Sequence, residues 1–292
     1  MQVKVRIVNA FVDDGQGGNP AGVVLQADGL SAAQKQAIAV QVGLSETAFV
    51  SRAQSAAFRL EFFTPTKQIA HCGHATVATF ALLRQQGQVG EGWTSKETLD
   101  GNRDILIRGD MVFMEQHRPE SLALTDEPRL LEALMAAMGI DPGQLLPGLW
   151  PARVSTGGAF VLLPLADEAR VAALCPDQEA LVRLSQRLEL IGFYAFSPDT
   201  RRPGRAAGAR MFAPYYGIAE ESATGMAAGP LACFLHERMG VAGPRLLIEQ
   251  GYLMHPPSPS LITVDLKLAG GRIERLLAGG LARVQHEVVL EL

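Results

Sequence analysis

Apolar and polar residues alternate at the start of the chain. Val3, Val5 and Ile7 share one face, which predicts a half-buried strand within residues 1–10. Ser31 is a suitable N-cap for a helix over 32–42, and Gly43 is suited to end that helix. Further short apolar runs predict that the first half is rich in strands, at 22–25, 46–51, 57–63, 93–97, 104–108 and 111–116.

The second half of the chain has a similar balance of elements. Helices are predicted over 128–138, 177–188 and 225–239, and Gly240 is expected to end the last of them. Strands are predicted at 151–154, 159–164, 190–197 and 207–212, and in the tail from 245. The elements do not follow a regular βαβ order and no glycine-rich nucleotide fingerprint is present. The pattern therefore predicts a mixed α+β, mostly antiparallel fold rather than a Rossmann fold.

Two helical segments contain no charged residue. Residues 75–83 contain no charged residue, and neither do residues 222–235. A helix that is apolar on all sides is buried, whereas a surface helix needs a polar face. We therefore expect two strand-rich lobes, each built around a central helix. The first would comprise 1–120, completed by the C-terminal strand at about 278–292, and the second would comprise 121–277.

The segments that lead into these helices resemble each other. One reads Phe63-Thr64-Pro65 followed by Ile69-Ala70, and the other reads Phe212-Ala213-Pro214 followed by Ile218-Ala219. In each, a polar or reactive cluster, a glycine and a long uncharged run come next. The copies lie about half the chain apart, so they predict a duplicated lobe.

Composition and charge exclude several classes of protein. The 292 residues are 48% hydrophobic and 19% charged, with a formal net charge of −4 and no basic block, which argues against nucleic-acid binding. No stretch is apolar for the 18 or so residues that a membrane span needs. The N-terminus lacks the apolar core of a signal peptide, and the three cysteines form no CxxC pair, so a cytoplasmic protein is expected. Cys175 and Cys233 are expected to be small buried fillers.

The two helix starts are candidate anion sites. A helix N-terminus presents backbone N–H groups and partial positive charge, and Gly73 and Gly225 would let a ligand approach the backbone closely. The alternative is that both glycines only allow tight packing of helix on strand. His74 is placed for proton transfer, and Cys72 lies where a thiolate is favoured, although each would also suit a purely structural position.

Three further polar positions are candidates. Glu46 stands beside an apolar strand, where a partly desolvated carboxylate would suit a general base, although the pattern alone favours an ordinary capping or turn glutamate. Glu220 and Glu221 form an acidic pair in the second copy of the repeat, or else a solvated turn. Asn19 could orient a ligand through its amide or serve the turn before Pro20.

Taken together, these motifs resemble the PhzF-like proteins of phenazine biosynthesis. The resemblance covers nearly the whole chain, and each motif is weak alone. The collinear set is specific, and it consists of Gly18-Asn19-Pro20-Ala21-Gly22-Val23, Ser45-Glu46-Thr47, Phe63-Thr64-Pro65, Cys72-Gly73-His74-Ala75-Thr76 and the run from Glu220 to Gly225.

The resemblance implies a diaminopimelate-epimerase-like fold. In that fold two pseudo-symmetric lobes each place a barrel-like sheet around a central helix, and the active site lies in the cleft between them. It also implies a homodimer, no metal and no organic cofactor. The expected activity is proton-transfer isomerisation or epimerisation of a small carboxylate. The resemblance assigns Glu46, His74 and Glu221 to catalysis, and Asn19, Gly73, Thr224 and Gly225 to substrate binding.

This chain departs from the family pattern in the second lobe. Glu221 stands where aspartate is usual, and Met226 replaces a serine, which removes a hydroxyl donor. Residues 254–258 read Met-His-Pro-Pro-Ser where the phenazine enzyme has Gly-Arg-Pro-Ser nearby. These changes predict a different substrate and leave open a member that binds a small molecule without turning it over.

Cysteine chemistry provides two further hypotheses. Diaminopimelate epimerase uses one cysteine at each helix start; Cys72 matches the first, but Thr224 stands at the second, so racemisation by a cysteine pair is not expected. A hydrolase with Cys72 as nucleophile and His74 as base is disfavoured, because residues two apart at a helix start are expected to diverge.

Overall fold

The computed structural model describes residues 1–292. The chain divides into two compact units, one formed by Met1–Glu115 with Gly279–Leu292 and the other by Gln116–Ala278. The N-terminal segment of the first unit ends at Glu115, five residues before the end predicted for the first lobe at 120. No helix combines the length and apolar character that crossing a membrane requires.

Eighteen strands and six α-helices make up the chain. The elements of residues 1–116 are β1 (Gln2–Ala10), β2 (Asn19–Val24), α1 (Ala32–Val42), β3 (Thr47–Ser51), β4 (Phe58–Phe63), β5 (Gln68–Ile69), α2 (Gly73–Gln85), β6 (Gly92–Thr98), β7 (Gly101–Arg108) and β8 (Met111–Gln116). The others are β9 (Glu120–Ala123), α3 (Pro128–Met138), β10 (Ala152–Ser155), β11 (Ala159–Pro164), α4 (Glu168–Ala172), α5 (Gln178–Leu188), β12 (Gly192–Ser197), β13 (Ala207–Ala213), β14 (Ile218–Glu221), α6 (Gly225–Met239), β15 (Arg245–Gln250), β16 (Ser260–Ala269), β17 (Arg272–Gly280) and β18 (Ala282–Glu291).

The first unit is a mostly antiparallel sheet around α2. Strand β1 pairs antiparallel with both β2 and β18, so the end of the chain returns to its start. Strand β2 runs parallel to β3, β3 is antiparallel to β4, and β4 runs parallel to β6, which continues into the antiparallel β7 and β8. Helix α2 packs against β1, β2, β3 and β18.

The second unit repeats this arrangement around α6. Strand β10 is antiparallel to β9 and β11, β11 runs parallel to β12, and β12 is antiparallel to β13. Strand β13 then runs parallel to β15, which is antiparallel to β16. In both units the order is a parallel pair, an antiparallel strand, a short hairpin strand, a buried helix and a parallel strand. This common order confirms the α+β fold class and agrees with the duplication predicted from the sequence.

The two uncharged helices are buried, as predicted. In α2 every residue of Gly73–Phe80 is buried, and in α6 every residue of Ala227–Leu235 is buried. Cys233 lies in this core, and burial raises the pKa of its thiol to about 12. Cys175 is exposed, so the expectation that it fills the core is wrong. It follows Leu174 at the end of a short helical segment, where the chain turns at the surface.

Helix α1 is capped as the sequence predicts. The Ser31 hydroxyl accepts a hydrogen bond from the amide of Gln34, whose side chain accepts one from the amide of Ser31. Gly43 ends the helix in the left-handed conformation with φ of 67°. We expect Ser31→Ala to lower the free energy of unfolding by about 1 kcal/mol, because one amide of the first turn loses its partner. Urea unfolding of the two proteins measures this difference, and Ser31→Asp, which restores an acceptor, should recover most of it.

Candidate active site

The start of α2 presents its backbone without a side-chain cap. Cys72 is the N-cap residue with extended dihedral angles, φ −146° and ψ 121°, and its thiol makes no capping hydrogen bond. The Thr76 hydroxyl donates to the Cys72 carbonyl oxygen at 2.6 Å, which holds the first turn closed. Gly73 and His74 follow directly as the first helical residues, as predicted.

Glu46, Cys72 and His74 form one buried cluster in the first unit. Each is about 5 or 6% exposed. Oε2 of Glu46 lies 3.4 Å from Nε2 of His74, and Sγ of Cys72 lies 3.5 Å from Nδ1 of the same ring. The structure thus brings together three predicted residues from two separate segments. Glu46 reaches this place because it immediately precedes β3, and its carbonyl oxygen accepts a hydrogen bond from the Gly22 amide of β2 at 3.1 Å.

The expectation that the Cys72 and His74 side chains diverge is wrong. That expectation treated both residues as helical. Cys72 is instead extended, and this backbone conformation turns its side chain toward the imidazole. The local pair needed for cysteine chemistry is therefore present.

The cluster also has the spacing of metal ligands. One donor atom from each of Glu46, Cys72 and His74 lies within 4.8 Å of the others. The two ring nitrogens of His74 face different groups, Nε2 toward the carboxylate and Nδ1 toward the thiol. A single ion would engage only one of these nitrogens.

Asn19 opens β2 and is buried, at 4% exposed. It pairs across the sheet with Ala10, and the preceding Gly18 has φ of +86°. A Cβ built on Gly18 would lie 2.7 Å from the Ala10 carbonyl oxygen, so only glycine fits there. The turn therefore fixes where the Asn19 side chain begins.

The start of α6 has the same uncapped geometry. Thr224 is extended, with φ −138° and ψ 90°, and makes no capping hydrogen bond although threonine is a good N-cap residue. Gln250 explains this. Its Oε1 accepts from the Thr224 amide at 3.0 Å, and its Nε2 donates to the Thr224 hydroxyl at 3.2 Å and to the Glu221 carbonyl oxygen at 2.6 Å. The Tyr194 hydroxyl also donates to Gln250 Oε1, at 2.9 Å.

The two acidic residues Glu220 and Glu221 lie at the end of β14 in the second unit. Glu220 forms a two-fold contact with the Arg210 guanidinium, at 2.8 and 2.7 Å. Neighbouring residues of a strand point to opposite faces, so the side chains of Glu220 and Glu221 leave β14 on opposite sides. Glu220 is thus engaged in structure, while Glu221 remains the residue of the pair assigned to catalysis by the resemblance.

The residues that depart from the family pattern lie against the second helix start. A Cβ built on Gly158 would be 3.2 Å from the terminal methyl of Met226, so this side chain packs where a serine would offer a hydroxyl. Ser258 donates its amide to the Gly251 carbonyl oxygen at 2.9 Å, and a Cβ on Gly251 would lie 2.7 Å from the Ser222 carbonyl oxygen. The segment with the altered residues 254–258 is therefore anchored beside the Ser222–Thr224 turn.

Sequence reasoning missed two buried polar residues that support the helix starts. Gln250 ends the apolar strand β15, and Lys96 lies in the middle of β6 and is fully buried. The pKa of the Lys96 ammonium is lowered from the ordinary 10.5 to about 7, chiefly by burial. No periodic signal marks either residue, because the strand pattern only distinguishes apolar from polar positions.

Comparison with known proteins supports this description. The profile of the PhzC-PhzF family, described as phenazine biosynthesis-like protein, matches residues 8–286. A Deinococcus radiodurans protein named as an uncharacterized isomerase is 35% identical over 290 residues, which are 97% of this chain and 92% of the relative. The trans-2,3-dihydro-3-hydroxyanthranilate isomerase of Pseudomonas chlororaphis is 31% identical over 261 residues, 86% of this chain and 87% of that enzyme. The crystal structure of a PhzF-family protein from Bacillus anthracis covers 100% of both chains with a TM-score of 0.89 and 26% identity.

Proposed function

Because this chain belongs to the phenazine biosynthesis-like PhzC-PhzF family of isomerases, we propose that it moves a proton on a small carboxylate-bearing substrate with Glu46 as the main acid and base. The observation that carries this proposal is the buried contact of 3.4 Å between Glu46 Oε2 and His74 Nε2. A carboxylate buried beside an imidazole can accept a proton from carbon, and the imidazole can share that proton and exchange it with solvent.

The proposed reaction begins at a C–H bond next to an electron-withdrawing group. Glu46 takes the proton, and the electron pair of the broken C–H bond becomes delocalised into the substrate as an enolate or its extended equivalent. Glu46, after exchange of its proton with solvent, then protonates another carbon in an isomerase, whereas in an epimerase a second group protonates the opposite face of the same carbon. No electrons are gained or lost, so no redox partner is required.

The helix start at Gly73 supports this chemistry electrostatically. Its N-cap side chain makes no capping hydrogen bond, and helix N-termini favour negative charge. We assign it to the carboxylate or the developing enolate. Stabilising charge that appears only in the transition state is the most effective contribution to rate that such a group can make.

On the basis of the family resemblance, we assign Glu221 to catalysis, and Asn19, Thr224 and Gly225 to substrate binding. The α6 start repeats the uncapped geometry of α2, which favours a similar role. Glu221 is one methylene longer than the usual aspartate, and Met226 offers no hydroxyl. Both changes favour a substrate other than the dihydro-hydroxyanthranilate of the Pseudomonas chlororaphis enzyme.

The first experiment is deuterium uptake measured by NMR. Trans-2,3-dihydro-3-hydroxyanthranilate is tested first, followed by a panel of cyclic and α-amino carboxylates in D₂O. Deuterium incorporation that requires Glu46 supports the proposal, whereas incorporation no faster than with Glu46→Gln across the panel argues against proton transfer. Binding of a panel member without exchange in either protein would instead show a binding protein that retains the site.

We also propose that the reaction uses neither metal nor organic cofactor. Dialysis against EDTA should therefore leave the rate within about 10% of its starting value, since Glu46 and His74 transfer protons without a Lewis acid. Loss of activity on dialysis, with recovery on adding Zn²⁺, would show that the 4.8 Å cluster is a metal centre instead.

The contact between Cys72 and His74 favours a second candidate, a Cys72-dependent hydrolase. Rapid stoichiometric alkylation of Cys72 by iodoacetamide with equal loss of activity would support it. The resemblance further implies a homodimer, which light scattering of the purified protein tests directly.

A further inference from the structure

Lys96 occupies an unusual place for a lysine. It lies on β6, is fully buried, and its Nζ donates to the Thr76 hydroxyl at 2.6 Å within the first turn of α2. Nζ also lies 3.3 Å from Nδ1 of His71 and 5.0 Å from the centre of the Phe62 ring. The three donors of the ammonium are thus met by a hydroxyl, an imidazole and an aromatic face.

None of these partners carries a negative charge. A buried cation normally needs a carboxylate partner, and the other buried lysine, Lys35, is paired with Glu61 in that way. The position of Lys96 is also unfavourable for the helix, because positive charge at an N-terminus opposes the helix dipole. Burial is the largest effect on the ammonium and disfavours it, and Cys72 and Asp100 offset this only in part, so a purely structural role would be better served by a neutral side chain.

The second unit has a neutral side chain beside its helix start, two residues further along the equivalent strand, since Phe58 pairs with Lys96 whereas Ala207 pairs with Ile248 and Ala209 with Gln250. Strand β6 runs parallel to β4 as β15 runs parallel to β13, and Gln250 of β15 supports the α6 start through hydrogen bonds alone. Each helix start is thus supported by a buried polar residue from the parallel strand, at different positions of that strand, but only the first carries a charge. This difference is explained if the first helix start holds an anion.

We propose that Lys96 is an anion-positioning residue. Its ammonium holds the His71–Cys72 turn in place through its contacts with His71 and Thr76. It also supplies the positive charge with which the start of α2 binds a carboxylate or enolate. The inference rests on the proposed function for the identity of the anion. Lys96 acts through the turn and the electrostatic field and is not itself a proton-transfer group.

The surroundings of Lys96 give this arrangement a defined pH dependence. The charged and titratable groups that face it are His71 and Cys72 before α2, Arg103 on β7 and Asp100 in the turn between β6 and β7. Burial, then Lys96, lowers the pKa of His71, so His71 stays neutral and can accept from the ammonium. Since the pKa of Lys96 is about 7 in the folded chain and 10.5 ordinarily, the unfolded chain binds more protons between these values. The free energy of unfolding should therefore rise with pH across this window.

The test compares wild type with Lys96→Gln and Lys96→Met, and uses Lys67→Gln at an exposed lysine as the matched control. Anthranilate and sulfate serve as anion probes at constant ionic strength, and binding is followed by calorimetry and by the midpoint of thermal unfolding. At pH 6.5 we expect both Lys96 variants to bind the probes about 10- to 100-fold more weakly than wild type, because one nearby charge is lost. Lys67→Gln should bind them as wild type does.

The stability of the variants without bound anion distinguishes this role from a structural one. Without anion, Lys96→Gln should be at least as stable as wild type at pH 6.5, and should lack the rise in stability above pH 7. A less stable variant with unchanged probe binding would show that Lys96 is structural and would overturn the inference.

These readouts involve no turnover, so they do not depend on the isomerase proposal. If Lys96→Gln loses probe binding while no substrate is ever turned over, the anion role stands and the proposed reaction falls. If Glu46→Gln abolishes turnover while Lys96→Gln retains both probe binding and KM, the reaction stands and the role of Lys96 falls.

Discussion

Replacing Glu46 by glutamine should lower kcat by about 10²- to 10⁴-fold, the range that a positioned general acid or base contributes. Glutamine has nearly the same shape and fits the same buried position, but it cannot accept a proton at neutral pH. The 3.4 Å contact with His74 would then join an amide to an imidazole, and the relay would be broken. Substrate binding should change far less than kcat, because the anion is assigned to the helix start.

Two matched variants make this measurement decisive. Glu91→Gln changes an exposed glutamate just before β6 and should leave kcat unaltered. Cys72→Ala removes the thiol beside His74 but keeps Glu46, so it should retain most of the deuterium exchange. Exchange that survives in Glu46→Gln and disappears in Cys72→Ala would move the chemistry from the carboxylate to the thiol.

Replacing Arg210 by methionine should lower the free energy of unfolding by about 3–5 kcal/mol, the cost of leaving one partner of a buried ion pair alone. Arg210 is 8% exposed and uses its guanidinium fully. Besides the contact with Glu220, its Nη1 donates to the carbonyl oxygens of Val171, Ala172 and Leu174, at 3.2, 3.1 and 2.9 Å. These are the last carbonyls of α4 and the turn after it, where positive charge is favoured.

Chemical denaturation of three proteins tests this account. Glu220→Gln should cost less than Arg210→Met, because the guanidinium keeps its carbonyl partners and one amide oxygen. The double variant should be less destabilised than the sum of the two single changes, since it leaves no buried carboxylate without a partner. Additive losses would show that Arg210 acts mainly on α4 and that Glu220 is not held by the pair.

The elements of this fold that the sequence predicts are those with strong local signals. The limits of α1 follow from Ser31 and Gly43, and those of α6 from Gly225 and Gly240, because caps and left-handed glycines act within a few residues. The absence of charge predicts the burial of α2 and α6 since no surface helix lacks a polar face. The short strands β5 and β14 and the five-residue helix α4 were not predicted, because they are formed by pairing and packing rather than by a periodic pattern.

Candidate residues follow a similar division. Glu46, Cys72 and His74 are separate candidates in the sequence, and their meeting in one cluster depends on the pairing of β2 with β3 and on the extended backbone of Cys72. A sequence alone shows neither, so it predicted that the thiol and the imidazole diverge. Likewise, Glu220 and Glu221 are equivalent in the sequence, and only the folded chain distinguishes them, because Arg210 forms its ion pair with Glu220.

The sequence by itself determined the class of fold, the duplication and the two buried helices with glycine at their starts, because hydrophobic burial and capping are read from neighbouring residues. The tertiary structure decided which buried polar side chains lie beneath those helix starts. Lys96 and Gln250 come from strands that reach the helix starts only through parallel pairing with β4 and β13, and a strand pattern does not record its partner. The buried charge of Lys96, which has no carboxylate among its hydrogen-bond partners, is thus a property of the folded chain, and it is the feature that distinguishes one helix start from its copy.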